Sequence, residues 1–519
     1  MRSDNGEKLH WTGSRTFWVI AAVFVVAIYF FGLTIPLVGP DEPRYAQVAR
    51  EMFLRGDWVT PTLGGSDWFE KPALLYWLQI ASYNIFGVSE FAARFGSALF
   101  GLGTIAGLWL LGRAAVQDTE GFSFANLLAL IAASSLGIIV FSRGASFDII
   151  LTFPITAALA SYFVWERGGI ENRRPVFPLV LFYVFVGMAV LAKGLVGIVF
   201  PYAIVSFYHL ISWKRPSKAL IISAFWGTIV AAASASLWYV PMYIVNGWKF
   251  IDEFFVQHHF QRYTSNKYFH PQPFYFFFWV LPLMTVPWVP FFFAGLWSGV
   301  KGTFHRESAE ARRANERGER GNDVPLSFRS LFLFAFAWLT VPLVFFSFSG
   351  SKLPGYILPA VPPALIIAAI YVWGLVRSSD RRKSIVVGLA TATFAVIVVL
   401  LVAVVPKYAD DDSTKRLIAE ADARGYGQSE VLSLHALSHN AEFYAAGRLL
   451  RDADGKQMRL YGPQEVLNEI RRKNGEPVLV LVPNEWAHQT LDSPLLNCEV
   501  IAKNGEHTIL AARDETAQP

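Results

Sequence analysis

One cysteine, Cys498, in 519 residues leaves no internal disulfide and no cysteine-based zinc site. Charge is scarce as well. Only 16% of the residues are charged against 54% hydrophobic, and with a mean hydropathy of +0.37 this excludes a single soluble domain and points to a polytopic membrane protein. The chain has no His-Glu-x-x-His, its aspartates are not grouped as a metal–nucleotide site needs, and the region after Pro406 has no Gly-rich nucleotide loop. A nucleotide-sugar donor is therefore disfavoured. No internal repeat is found. The net charge of +5 is not a nucleic-acid footprint, because the basic residues gather in short loops between apolar runs, the positive-inside pattern. No small-residue cleavage site marks the first apolar run, which reads as a retained span.

What is present in quantity is apolar length. Eleven segments are long enough, at about 17–25 residues, to cross a bilayer: 16–38, 89–112, 122–141, 147–165, 176–192, 195–212, 219–244, 273–298, 330–348, 355–376 and 384–405. Prolines at 154, 282, 287, 290 and 359–363 soften some boundaries, so the expected range is 11–13 spans. With the N-terminus cytoplasmic, that side receives Arg113, Arg167, Arg173, Arg174, Lys214, Arg215, Lys218, the basic cluster in 301–329, Arg377, Arg381, Arg382 and Lys383. The other side receives 39–77, 142–148, the turn at Lys193, 246–271, 349–356 and everything after Pro406. Segment 305–325 is a polar connector on the cytoplasmic side and is given no catalytic part.

Segment 39–77 is unusual for a loop between spans, because it carries Asp41, Glu42, Arg44, Tyr45, Glu51, Asp57, Glu70 and Lys71. In a helix starting near Pro43, Asp41 stands at the N-terminal end, where the dipole favours an anion, with Arg44 and Tyr45 within one turn. By local pattern alone, Asp41 as a helix cap is an equal reading. The blocks Asp41-Glu42-Pro43-Arg44-Tyr45, Gly56-Asp57-Trp58, Phe69-Glu70-Lys71-Pro72 and Tyr76-Trp77 resemble the first external loop of bacterial C-type (GT-C) membrane glycosyltransferases. The resemblance is to the group of lipid A 4-amino-4-deoxy-L-arabinose transferases and protein O-mannosyltransferase-like enzymes. It implies an α-helical polytopic GT-C fold whose active face lies outside the membrane, and a polyprenyl-phosphate sugar donor.

On that resemblance Asp41 and Asp148 are the expected catalytic carboxylates. Arg44, Tyr45, Lys71, Lys193, Lys352 and Tyr356 are expected at the donor phosphate, and Glu70, Tyr76, Arg143, His258 and Arg262 at the substrates. The residues give independent reasons for several of these. Asp148 opens a span five residues after Arg143, and an ionisable group at a membrane segment is functional by default. Lys193 interrupts an apolar stretch near a helix end, where snorkelling to the interface is the alternative. Lys352 and Tyr356 flank Pro354-Gly355, a tight turn. His258 and His259 lie in an aromatic stretch typical of interface anchors. The expectation is that no cofactor is required; Glu70 and His258 are the pair that would share a divalent metal if their loops meet.

After Pro406 strand and helix patterns alternate, which implies a small extracytoplasmic α/β domain. The expected domains are thus a transmembrane catalytic part, 1–405, and a soluble periplasmic part, 406–519, that caps or guides the acceptor. The leading expectation is an inner-membrane transferase moving 4-amino-4-deoxy-L-arabinose from undecaprenyl phosphate to lipid A. Transfer of mannose, arabinose or galacturonic acid to a protein or glycan is the same-class alternative. A lipid or sugar flippase is the reading from another class; it requires charges at the midplane between internal repeats. A sensor with a ligand-binding C-terminal domain is the third.

Overall fold

The computed structural model describes residue 12 and residues 14–116, 121–170, 175–261, 271–302 and 326–515. Seven of its helices are long and apolar enough to cross a membrane: Glu90–Ala115, Phe147–Gly168, Val176–Lys193, Lys218–Gln257, Phe328–Ser347, Pro354–Val376 and Asp380–Asp412. Two bent pairs, Phe124–Ala133 with Leu136–Ser142 and Phe276–Met284 with Val289–Gly302, and two shorter apolar helices, Arg15–Phe30 and Val196–Ile211, occupy the other expected segments. The 115° bend falls at the prolines 282, 287 and 290 that soften that boundary in the sequence, whereas the 59° bend, between Ala133 and Leu136, is marked by no proline. Hydropathy registers total apolar length and not the direction of the axis.

By compactness the chain forms two units. The first comprises residues 1–31, 70–75 and 97–397 and holds most of the apolar helices. Its helices approach closely through small residues, as membrane helices do: a Cβ on Gly187 would strike the carbonyl of Ala231 and the side chain of Ser234. Indole and phenol donors tie helices to freed backbone or hydroxyl oxygens. Trp338 Nε1 donates to the Pro359 carbonyl at 2.9 Å, Tyr29 Oη to the Ala133 carbonyl at 3.0 Å and Trp288 Nε1 to Ser134 Oγ at 3.1 Å.

The second unit comprises residues 32–69, 76–96 and 398–519. It joins the loop that holds Asp41 to the C-terminal region. The loop contributes the helix Asp41–Arg55 and a hairpin of β1 (Thr62–Leu63) and β2 (Ser66–Asp67). The C-terminal region builds a five-stranded sheet from β3 (Val431–Leu434), β4 (Arg459–Leu460), β5 (Val478–Pro483), β6 (Leu496–Lys503) and β7 (His507–Asp514), ordered β4-β3-β5-β7-β6. β4, β3 and β5 are parallel and β7 and β6 antiparallel. Successive residues of β5 enter opposite cores: Val480 packs with Leu432, Val466 and Leu510, whereas Leu479 and Leu481 pack with Val431, Leu417 and Ile509. Both faces are covered, so β5 reads as an unbroken apolar run.

Candidate functional site

The first unit brings three of the expected residues together. Ser146 Oγ accepts from the Asp148 backbone N–H at 3.2 Å, capping the helix Phe147–Ile170, whose second residue is Asp148. Lys193 is the last residue of Val176–Lys193, where Gly194 at φ 70° ends the helix. Its ammonium forms an ion pair with Asp148 Oδ1, both side chains being largely covered, at 16% and 18% exposure. The same ammonium lies 4.6 Å from the centroid of the Tyr356 ring, a cation–π contact. Gly355, beside Tyr356, runs so close that a Cβ there would strike the Asp148 carboxylate and the ring of Phe141. Three spans thus supply an acid, a base and an aromatic face, each from a helix end.

Lys352 is buried and donates to the carbonyls of Ser349 at 2.7 Å and Gln272 at 3.0 Å. Burial holds its ammonium below the ordinary lysine value. An ammonium has three donors, so one is left for an incoming acceptor. Glu70 and Lys71 pair with each other at 2.9 Å, each side chain 12% exposed. Arg143 donates to the carbonyls of Ile28, at 2.8 Å, and Phe31, closing the C-terminal end of Arg15–Phe30. The His258 side chain and Arg262 lie outside the described residues. Among the described residues no group of three or more His, Cys, Asp or Glu is arranged to hold a metal ion.

The second unit places Asp41 as the first residue of the helix Asp41–Arg55, two residues earlier than Pro43, with 51% of its side chain exposed and Arg44 paired to it. Arg44 lies over Trp68, 5.5 Å from the ring, and over Tyr45 at 6.0 Å. Tyr45 and Tyr76 are buried. The start of this helix is fixed by a residue that the sequence did not single out. Arg94 grips Glu42 with two bonds, 2.6 and 2.7 Å, and donates to the carbonyls of Leu33, Ile35 and Pro36. Glu42 in turn accepts from the Val38 N–H at 3.1 Å. Glu51, one face further along, accepts from Gly64 N–H at 2.7 Å, Gly65 N–H at 3.1 Å and Thr62 Oγ1 at 2.7 Å, pinning the hairpin to the helix.

The C-terminal region reaches this cluster through the helix His439–Tyr444, which packs on Asp41–Arg55. Tyr444 accepts from the Leu37 N–H at 2.7 Å, and Arg50 donates to the Phe443 carbonyl at 3.2 Å. His439, half-buried, feels both members of the Asp41–Arg44 pair. Burial holds its imidazole below the ordinary value, the Arg44 charge adds to this and Asp41 opposes it. Nothing in the local sequence links a histidine after a Ser cap with an acid some 400 residues earlier.

A family model described as dolichyl-phosphate-mannose-protein mannosyltransferase matches residues 14–256. The undecaprenyl phosphate-alpha-4-amino-4-deoxy-L-arabinose arabinosyl transferase of Serratia proteamaculans is 28% identical over 389 residues, 74% of this chain and 64% of the relative. The protein of that name from Yersinia enterocolitica is 28% identical over 439 residues, covering 82% and 72%. Among solved structures, ArnT from Cupriavidus metallidurans bound to undecaprenyl phosphate matches with a TM-score of 0.71 at 23% identity, over 96% of this chain and 98% of that one. The match to the Serratia protein spans less than two thirds of that relative's length.

Proposed function

We propose that this chain, which resembles the C-type membrane glycosyltransferases of the aminoarabinose-transferase and protein-mannosyltransferase group and shares the fold of ArnT, moves a sugar from a polyprenyl phosphate to an acceptor of the cell envelope. The finer reading is 4-amino-4-deoxy-L-arabinose passing from undecaprenyl phosphate to lipid A. It takes its support from the named relatives. The observation that carries the reading is the Asp148–Lys193–Tyr356 cluster, a covered acid–base pair built from three helix ends of an otherwise apolar unit. The protein is placed in the inner membrane with its N-terminus cytoplasmic and these helix ends periplasmic, following the distribution of lysine and arginine.

The chemistry asked of the site is one displacement. An acceptor oxygen attacks the anomeric carbon, and the bond from that carbon to the phosphate oxygen breaks, leaving its electron pair on the departing phosphate. That phosphate gains negative charge, and preorganised cations are the groups that stabilise it. Lys193 and Lys352 supply such charge from the first unit. Until the donor arrives, Asp148 balances Lys193. Once the ammonium turns to a phosphate oxygen, the carboxylate is released to face the sugar. For a hydroxyl acceptor, Asp41 or Asp148 takes the proton. For a phosphate acceptor the oxygen is already anionic, and the Asp148 carboxylate holds the sugar and opposes positive charge at its anomeric carbon. The mannosyltransferase match favours keeping hydroxyl transfer to a protein or glycan as the second reading.

The test is transfer of radiolabelled sugar from purified polyprenyl-phosphate donors to lipid A and to hydroxyl acceptors. Asp148→Asn and Asp41→Asn are each expected to lower turnover by about 10²–10⁴ while donor binding persists. Lys193→Met and Lys71→Ala are expected to weaken donor binding. Transfer at parental rates in all four variants rejects the assignment, and the acceptor that is labelled decides between the two readings.

A further inference from the structure

At the opposite end of the Val176–Lys193 helix from Lys193, a cavity of about 630 Å³ lies between that helix, Val196–Ile211 and Lys218–Phe250. Its volume falls within the ~300–1,000 Å³ of small-ligand sites. Phe182, Val205 and Leu220 line it with apolar surface, the hydroxyls of Tyr183 and Tyr202 are already engaged with Ser223 and Thr228, and Lys214 and Arg215 stand at its rim. No carboxylate belongs to its lining. Neither Lys214 nor Arg215 has an acidic partner among the described residues; the Lys214 ammonium donates instead to Tyr208 Oη and Ser330 Oγ, both at 3.3 Å. A cavity that presents positive charge beside an apolar wall is complementary to an anion carrying a hydrocarbon chain.

The segment bearing these cations is held in place. Lys214 N–H donates to the His209 carbonyl at 3.2 Å, and the His209 ring returns the bond, its Nδ1 donating to the Lys214 carbonyl at 3.0 Å. Nδ1 faces a carbonyl and so carries the proton, which leaves Nε2 to accept from Tyr162 Oη at 2.8 Å. Trp213 takes a left-handed φ of 52° and is 89% exposed. An indole at a helix end beside two basic residues is the arrangement of the membrane–water interface. Leu210 and Ile221, which also line the cavity, are exposed too, so it opens toward hydrocarbon.

We propose that this cavity binds an anionic phospholipid of the surrounding bilayer, the phosphate lodged between Lys214 and Arg215 and one acyl chain against Phe182 and Leu220. The site is separate from the Asp148 cluster, and the proposal stands whichever sugar is transferred. Basic pockets between membrane helices hold anionic headgroups in this manner, each Lys or Arg contributing about 1 kcal/mol, roughly five-fold in occupancy.

Native mass spectrometry of the full-length protein in detergent, titrated with phosphatidylglycerol and with phosphatidylethanolamine of the same acyl chains, provides the test. Phosphatidylglycerol is expected to be retained in preference, and Arg215→Glu and Lys214→Met are each expected to reduce its occupancy at least about five-fold without altering that of phosphatidylethanolamine. Because Lys214 also braces Tyr208 and Ser330, the decisive variant is Arg215→Glu, an exposed position. Equal retention of the two lipids, or phosphatidylglycerol binding that survives Arg215→Glu, overturns the proposal. So does displacement of phosphatidylglycerol by inorganic phosphate alone, or stronger retention of undecaprenyl phosphate that the same substitution abolishes.

Discussion

Among the single residues, Lys352 lends itself to a pH experiment. Its ammonium is buried against two carbonyls, and its affinity for the proton lies below that of an ordinary lysine. The charged form is therefore lost at a lower pH than for a solvated lysine, and donor binding that uses this charge is present at neutral pH and falls as pH rises through the depressed value. Lys352→Arg should move the alkaline limb of a donor-binding profile to higher pH, since a guanidinium stays protonated throughout. An unmoved limb would remove Lys352 from the phosphate. Residues such as Asp148 and Lys193 were legible in the sequence because an ionisable group at the edge of an apolar run is conspicuous. Arg143 was conspicuous for the same reason, and it also donates to the carbonyls of Ile28 and Phe31. Backbone acceptors at a helix end carry no letter in the sequence, and so this destination could not be read.

Turns between helices decide how near the acid and the base can come. Gly355 leaves no room for a methyl group beside Asp148. Gly355→Ala should therefore displace the carboxylate from Lys193 and cut turnover by about ten-fold or more, since misplacement by as little as ~1 Å can cost ~10² in rate. The melting temperature should change little if the turn relaxes. Kinetics and thermal unfolding measured on one preparation separate these effects, and parental turnover would show that the close approach has no part in catalysis. Spans were readable as elements because apolar length survives any bend. The sharp angle between Phe276–Met284 and Val289–Gly302 was not, because its prolines mark a break without stating its direction. The helix at Asp41 was legible from its proline and acids, whereas its anchor, Arg94, sits in an ordinary-looking helix start and becomes meaningful only when Glu42 is seen against it.

Across the whole molecule, the Glu42–Arg94 pair stabilises the second unit by satisfying two buried charges and a bend of free carbonyls at once. Arg94→Met is expected to destabilise by about 3–5 kcal/mol, because it strands a buried carboxylate, and the double variant with Glu42→Gln by less than the single one. Thermal unfolding of the purified protein measures both, and strictly additive losses would count against a buried pair. The α/β character of the C-terminal region was readable from its alternating strands and helices. Its association with the loop that holds Asp41 was not, because the hydrogen bond from Leu37 to Tyr444 joins residues 407 positions apart and leaves no periodicity in between.

That long-range bond bears on how the protein is made. During synthesis the segment holding Asp41 leaves the ribosome early, while the helix that packs on it, His439–Tyr444, follows after nearly every span has been inserted. Through that interval the nascent loop has its own hairpin, Arg94 and the bond from Tyr83 Oη to the Ala46 carbonyl, at 3.1 Å, but not that helix. Chains stopped short of the last hundred residues should accordingly be cut by envelope proteases at this loop, even with all their spans correctly threaded.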